Sequence, residues 1–135
     1  MPTIKFPHPT RQANRQATLA TGNDGEQQAS LYLQRLGYIV VERNYRYGKN
    51  EVDIVAMDGD ELVIVEVKTR SNPIAPPESA VDHQKRQRLI KVANHYVVSH
   101  KWLGATRFDI VTVVLSSDGS SETSLIRNAF NVMNY

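Results

Sequence analysis

The 135-residue chain contains no cysteine, which excludes a disulfide framework, a thiolate zinc centre and a cysteine nucleophile. It has no apolar run approaching a membrane span. Its opening, MPTIKFPHPT, has no apolar core of signal-peptide length. A cytoplasmic location without a membrane partner is therefore expected. Acids are missing from two stretches. Residues 1–23 carry Lys5, Arg11 and Arg15 and no carboxylate. From Asp82 to Lys101, five Lys or Arg (Lys85, Arg86, Arg88, Lys91 and Lys101) face one acid, Asp82. Most acids fall instead between Asp24 and Glu66, and the net charge is only +2. An acidic centre flanked by basic segments suits a site that holds a cation beside a polyanion. The same distribution also describes a solvated helix face and a basic tail.

The length suits one domain with its own core. Residues 1–20, with Pro2, Pro7 and Pro9, read as a flexible basic tail, and residues 21–135 as a single domain. Helical spacing of Ala29, Leu33 and Leu36 predicts a helix over Glu26–Leu36, stopped by Gly37. Gly22 and Gly25 weaken any earlier start. YIVVERNY (38–45), EVDIVAM (51–57) and ELVIVEVKTR (61–70) read as three strands, the last two joined by a hairpin turn at Asp58-Gly59. SNPIAPPE (71–78) breaks regular structure. A second helix runs from an N-cap at Asp82 to about His100. Strands follow at 107–115 and 123–130. The order α-β-β-β-α-β-β predicts an α/β fold with a mixed sheet flanked by helices, the helix between strands three and four serving as a parallel crossover.

Within IVEVKTR (64–70), Glu66 and Lys68 share one strand face, opposite Val65 and Val67. Charges on a core strand need a partner or a metal. A two-residue turn at Asp58-Gly59 puts Asp53 opposite Ile64 and diagonal to Glu66; a four-residue loop puts it directly opposite Glu66. Either register places Asp53 on the face of Glu66 and Lys68, and an odd-length loop without a bulge reverses this. Paired carboxylates repel. Lys68 offsets that in part, and a Mg²⁺ or Mn²⁺ ion, held by one or two carboxylates with waters left for a phosphate, offsets it better. Glu26 stands on the apolar stripe of the first helix, three residues before Ala29 and seven before Leu33, and so can reach the same cluster. A helix-terminal Glu favoured by the macrodipole is an equal reading of that residue.

Asp53, then Glu66-Val67-Lys68 on the next strand, with Glu26 on a preceding helix, resembles the PD-(D/E)xK nuclease superfamily. More closely, GNDGEQQASLYLQRLGYIVVERNYR, NEVDIVAMDGDELVIVEVKTR, AVDHQKRQRLIKVANHYV and RFDIV resemble the YraN family of uncharacterised bacterial proteins, related to archaeal Holliday junction resolvases. The resemblance covers about Gly22–Phe130. Asn50 stands where the family often has glycine, and Val52 where it has isoleucine; neither change removes a chemical group. The resemblance implies a restriction-endonuclease-like α-β-β-β-α-β core. It implies metal ligation by Asp53 and Glu66 with help from the Val67 carbonyl, water positioning or deprotonation by Lys68, and assistance from Glu26. The implied reaction is metal-dependent phosphodiester hydrolysis of nucleic acid, DNA favoured over RNA, on branched or damaged DNA, by a homodimer.

Lys85 and Arg88 share a helix face, and with Arg70 at the strand end they are candidate phosphate contacts. Solubility and strand capping are the plainer explanations of these residues. Tyr45, Arg46 and Tyr47 form an aromatic-basic turn on which bases can stack, although exposed hairpin tyrosines are common. His83, His95 and His100 lack metal-site spacing and read as structural or solvent-facing. Asp109 reads as a partner for Arg107. The competing functional reading is a catalytically silent nucleic-acid-binding or adaptor module that keeps the nuclease fold.

Overall fold

A computed structural model describes residues 3–6, 21–71 and 82–130. The elements are β1 (Thr3–Phe6), α1 (Thr21–Arg35), β2 (Ile39–Tyr47), β3 (Asn50–Asp58), β4 (Glu61–Arg70), α2 (His83–Ser99), β5 (Thr106–Leu115) and β6 (Ser121–Phe130). The six strands form one sheet in the order β1-β6-β5-β4-β3-β2. Among the described strands only the neighbours β4 and β5 run parallel, and α2 lies between them in the chain. The mixed sheet flanked by helices is the architecture expected, with the α-β-β-β-α-β order intact.

Two differences have local causes. Thr3–Phe6 pairs antiparallel with β6, where the sequence suggested a tail. TIKF alternates polar and apolar residues, and Pro2 and Pro7 flank it without entering it, which suits a short edge strand. The rest of the expected tail, and the 72–78 part of the proline-rich break, lie outside the described residues. The second difference is α1, which begins at Thr21 and carries Gly25 inside it. A Cβ at Gly25 would lie 2.0 Å from Thr69 Oγ1. Glycine there lets the helix approach β4 closely, and this outweighs its poor helix propensity. At the other end Gly37 stops the helix as expected, with φ +97° and the Tyr38 N–H returning to the Leu33 carbonyl at 2.9 Å.

The sheet buries both faces. On one side Ala29, Tyr32 and Leu33 of α1 pack on Ile54, Ala56, Val63, Val65, Val111 and Val113. On the other, Leu89, Val92, Ala93 and Tyr96 of α2 pack on Val52, Val55, Leu62, Ile64, Phe108 and Ile110. Strand periodicity explains the division of β4, where Val63 and Val65 face α1 and Leu62 and Ile64 face α2.

β3 departs from that periodicity. Ile54 and Ala56 face α1, so Val52 should too, yet Val52 packs in the α2 cluster. The break falls at Asp53. Pairing between β2 and β3 goes from Arg43↔Ile54 to Tyr45↔Val52 and skips Asn44 and Asp53. Pairing between β3 and β4 stops at Ile54↔Val65. Asn44, across from Asp53, has φ +56°, a left-handed conformation that asparagine tolerates better than most residues. The β3–β4 turn pairs Asp58 with Glu61 around Gly59 and Asp60, one residue beyond the simplest sequence reading. This is the register that brings Asp53 across from Glu66.

Candidate active site

Asp53 sits where both ladders lapse. Its Oδ2 accepts the Val67 N–H at 2.7 Å, so the side chain substitutes for the missing main-chain partner. A residue at this discontinuity is reachable from both helical layers. Glu26 approaches from α1 and Lys85 from α2, and both act electrostatically on Asp53. The sheet break therefore explains how charges from three elements converge on one strand position.

Glu66 is buried, 5% exposed. Its Oε1 meets Lys85 Nζ at 2.5 Å and Lys68 Nζ at 3.7 Å. Glu26 is largely buried and pairs with Arg43 at 3.5 Å. One carboxylate oxygen each from Glu26, Glu51 and Asp53 lies within 4.8 Å of the other two. Glu51 also pairs with Arg46 at 2.8 Å. The Asn44 amide, oriented with its nitrogen toward the acids, donates to Glu26 Oε2 at 3.0 Å and Glu51 Oε1 at 2.8 Å.

Burial pushes the Asp53 carboxyl up to about 7, reinforced by repulsion from Glu66 and opposed by the Val67 hydrogen bond. Burial also lowers Lys68, with Lys85 beside it adding to the effect. Lys85 moves the other way. Burial opposes its charge, but hydrogen bonds to Glu66 and Lys68, together with the charges of Glu66 and Asp53, outweigh that and raise it. Lys68 thus holds its proton less firmly than an exposed lysine, and Lys85 more firmly.

The structure brings together Glu26, Asp53, Glu66, Lys68 and Lys85, as the sequence suggested. Arg88 lines a groove of about 230 Å³ with Lys49, Asn50, Glu51, Lys85 and Leu89. Arg70 ends β4 beside Val114 of β5 and is partly buried. Glu51 and Asn44 were not among the expected site residues. Glu51 was legible as an acid two residues before Asp53 on the same strand. Asn44 carried no signal, since its role depends on the paired break in β2 and β3. The oxygen-only donor set of Glu26, Glu51 and Asp53 fits a hard divalent cation such as Mg²⁺ or Mn²⁺. Glu66, the second expected ligand, lies close enough to repel Asp53, but its Oε1 is held by Lys85.

The tyrosine turn is less free than the sequence implied. Tyr47 stacks on His95 with ring centroids 4.0 Å apart, and Tyr45 Oη lies 2.7 Å from His95 Nδ1. About 17 Å along β4 from Glu66, at the start of the strand, a separate charge network forms. Arg107 meets Asp109 at 3.0 Å, as expected, and also Asp58 at 2.8 Å and Glu61 at 3.1 Å. The Tyr38 hydroxyl accepts from Arg107 and donates to Asp109.

The family model of the uncharacterised protein family UPF0102 matches residues 25–113, a span that includes Glu26, Glu51, Asp53 and Glu66. This chain belongs to UPF0102. The chain is similar to a UPF0102 protein of Bacteroides thetaiotaomicron, 44% identical over 110 residues, covering 81% of this chain and 90% of the relative. A UPF0102 protein of Porphyromonas gingivalis is 42% identical over 114 residues, covering 83% of this chain and 84% of the relative. One from Solibacter usitatus is 47% identical over 114 residues, covering 81% and 84%. UPF0102 is the YraN family that the sequence resembles, and membership extends over both helices' site residues, Glu26 and Lys85. Among the described residues, no helix is long and apolar enough to cross a membrane.

Proposed function

We propose that this UPF0102 protein is a metal-dependent endonuclease that hydrolyses phosphodiester bonds in DNA, with branched or damaged DNA as its substrate. The observation that carries the reading is the convergence of Glu26, Asp53, Glu66 and Lys68 at a break in the sheet, with the Asp53 carboxyl raised and the Lys68 ammonium lowered together. Perturbation of that kind by burial beside a groove is characteristic of functional sites. Mg²⁺ or Mn²⁺ would be held by Asp53 with Glu66, Glu26 or Glu51, and would supply charge for the attacking water and the leaving oxygen.

The chain's own residues account for the remaining tasks. Lys68 lies beside the acids with its charge weakened, so it accepts or directs a proton of the attacking water. Lys85, Arg88 and Lys49 line the adjoining groove and attract the phosphate backbone. The Val67 N–H fixes the Asp53 carboxylate in orientation.

The test is cleavage of labelled duplex, single-stranded and four-way-junction DNA, and of RNA, with Mg²⁺, Mn²⁺ or EDTA. Metal-dependent cutting is expected, lost in Glu66→Ala and Lys68→Ala while DNA binding persists. Cutting that survives both substitutions would refute the assigned site. Binding without cutting of any substrate, together with no Mn²⁺ uptake, would instead establish the silent nucleic-acid-binding module. Sedimentation of the protein alone and with a junction tests the homodimer.

A further inference from the structure

Lys85 presents a second problem, because Glu66 already has a lysine. Lys68 lies 3.7 Å from Glu66 Oε1 on the same strand, yet Lys85 reaches the same oxygen from α2 and comes closer, at 2.5 Å. Placing two ammonium groups on one oxygen is unfavourable unless neighbouring negative charge compensates. Here Asp53 supplies part of that charge and helps to raise Lys85. The two lysines also differ in freedom. Lys68 stands on β4 with a side chain 24% exposed, whereas Lys85 sits in the first turn of α2, with a side chain 35% exposed. It borders the groove formed with Lys49, Asn50, Glu51, Arg88 and Leu89, so it has room to leave Glu66.

We propose that Lys85 is the resident counter-ion of Glu66, occupying with its ammonium the position that a divalent cation takes, and that metal entry displaces it into the groove to meet a phosphate. This rests on the metal-site reading above. A divalent ion drawn to Glu66 Oε1 meets the Lys85 ammonium on the same oxygen, and the two cations repel. Metal ligation through that oxygen therefore competes with the Lys85–Glu66 pair. A phosphate that draws Lys85 away opens the same oxygen to the ion. By linkage the two effects are equal, so metal and nucleic acid bind with positive coupling through this one side chain. Lys85 is a positioning residue in this scheme, holding the acid in a charged, accessible arrangement until the ion arrives.

Calorimetric titration with Mn²⁺ alone, at constant pH and ionic strength, tests this on the full chain. Lys85→Met should bind Mn²⁺ roughly tenfold more tightly than the wild type, the scale of one partly buried charge pair. Lys85→Arg should stay near the wild-type affinity. Lys91→Met removes the same charge from an exposed position on α2 and controls for the general field. It should change the affinity less than twofold. Thermal melts of Lys85→Met with and without Mn²⁺ establish that the variant is folded and should show a larger metal-induced shift than the wild type. Wild-type binding with an equal or weaker affinity in Lys85→Met overturns the displacement role alone. An equal gain in Lys91→Met also overturns it, by reducing the effect to net charge. No Mn²⁺ binding by either wild type or Lys85→Met overturns the metal-site reading and this inference with it.

Discussion

Replacing Asp53 with asparagine should make the protein more stable, and the gain should grow with pH. The folded state holds the Asp53 carboxyl up to about 7, against an ordinary value of 3.8. Between those values the native state binds a proton that the unfolded chain releases. Stability therefore falls as pH rises through this window, and it levels off above about 7. Each unit of displacement corresponds to about 1.4 kcal/mol, so the full penalty on the ionised, folded carboxylate approaches about 4 kcal/mol. Asparagine preserves the shape and can still accept the Val67 N–H, but it cannot ionise. At pH 5 the wild type has incurred only the part of the penalty between 3.8 and 5. The remainder, about 3 kcal/mol, develops between pH 5 and pH 8.

Urea denaturation of wild type and Asp53→Asn at pH 5, 6, 7 and 8, in EDTA, measures this directly. The stability difference should widen by about 3 kcal/mol across the series, or roughly 10 °C in melting temperature for a domain of this size. Shifts common to both proteins cancel in the difference. Adding Mn²⁺ at pH 8 should stabilise the wild type and leave Asp53→Asn nearly unchanged. A difference that stays flat with pH would refute the reasoning, because it would show Asp53 ionised at no penalty and the cluster already compensated.

Three further outcomes follow from the geometry. Arg107→Met should destabilise the fold by about 3 kcal/mol in urea denaturation, since it leaves the buried Asp109 without its counter-ion and takes one cation from Asp58 and Glu61. Gly25→Ala should lower stability by about 1–3 kcal/mol through overlap with Thr69 Oγ1, and Thr69→Ala in the same chain should recover most of that loss. Glu51→Gln should weaken Mn²⁺ binding by about tenfold in calorimetry. An unchanged affinity would assign the ion to Asp53 and its other neighbours without Glu51.

The elements were legible because their signals are local. β4 occupies the span its alternating valines and isoleucines indicate, and Asp82 caps α2 by accepting the Lys85 N–H at 2.9 Å. Asp53, Glu66 and Lys68 could be placed together because hairpin register is set by a short turn, and either even-length loop gave the same face. Lys85 was traceable through its spacing to Leu89. What could not be read depends on contacts distant in sequence. Gly25 looks like a helix breaker until Thr69 is seen against it. Asn44 reads as an ordinary residue of β2, and its role appears only once the β2–β3 pairing skips it. The occupation of Glu66 by Lys85 joins residues 19 apart through a segment without a regular pattern.

The two charge clusters obey opposite rules, and that contrast argues for function at only one of them. Around Arg107, burial opposes the guanidinium charge, but hydrogen bonds to Asp109 and Asp58 outweigh it and strengthen its hold on the proton. Tyr38 is pushed up to about 12 by burial and by Asp109, so it stays neutral throughout the physiological range. Arg107 and Tyr38 are each driven deeper into one protonation state, as in a structural staple. At Asp53 and Lys68 the direction reverses. The acid is made harder to ionise and the lysine easier to neutralise, although they stand within one cluster. Attraction between an isolated acid and base would do the opposite to both. Burial and like-charge neighbours have overridden it, bringing the acid to the edge of neutral pH. A fold gains nothing in stability from such an arrangement. In the proposed nuclease its use would lie in binding a cation that relieves Asp53 and Glu66, and in a lysine able to exchange a proton with water.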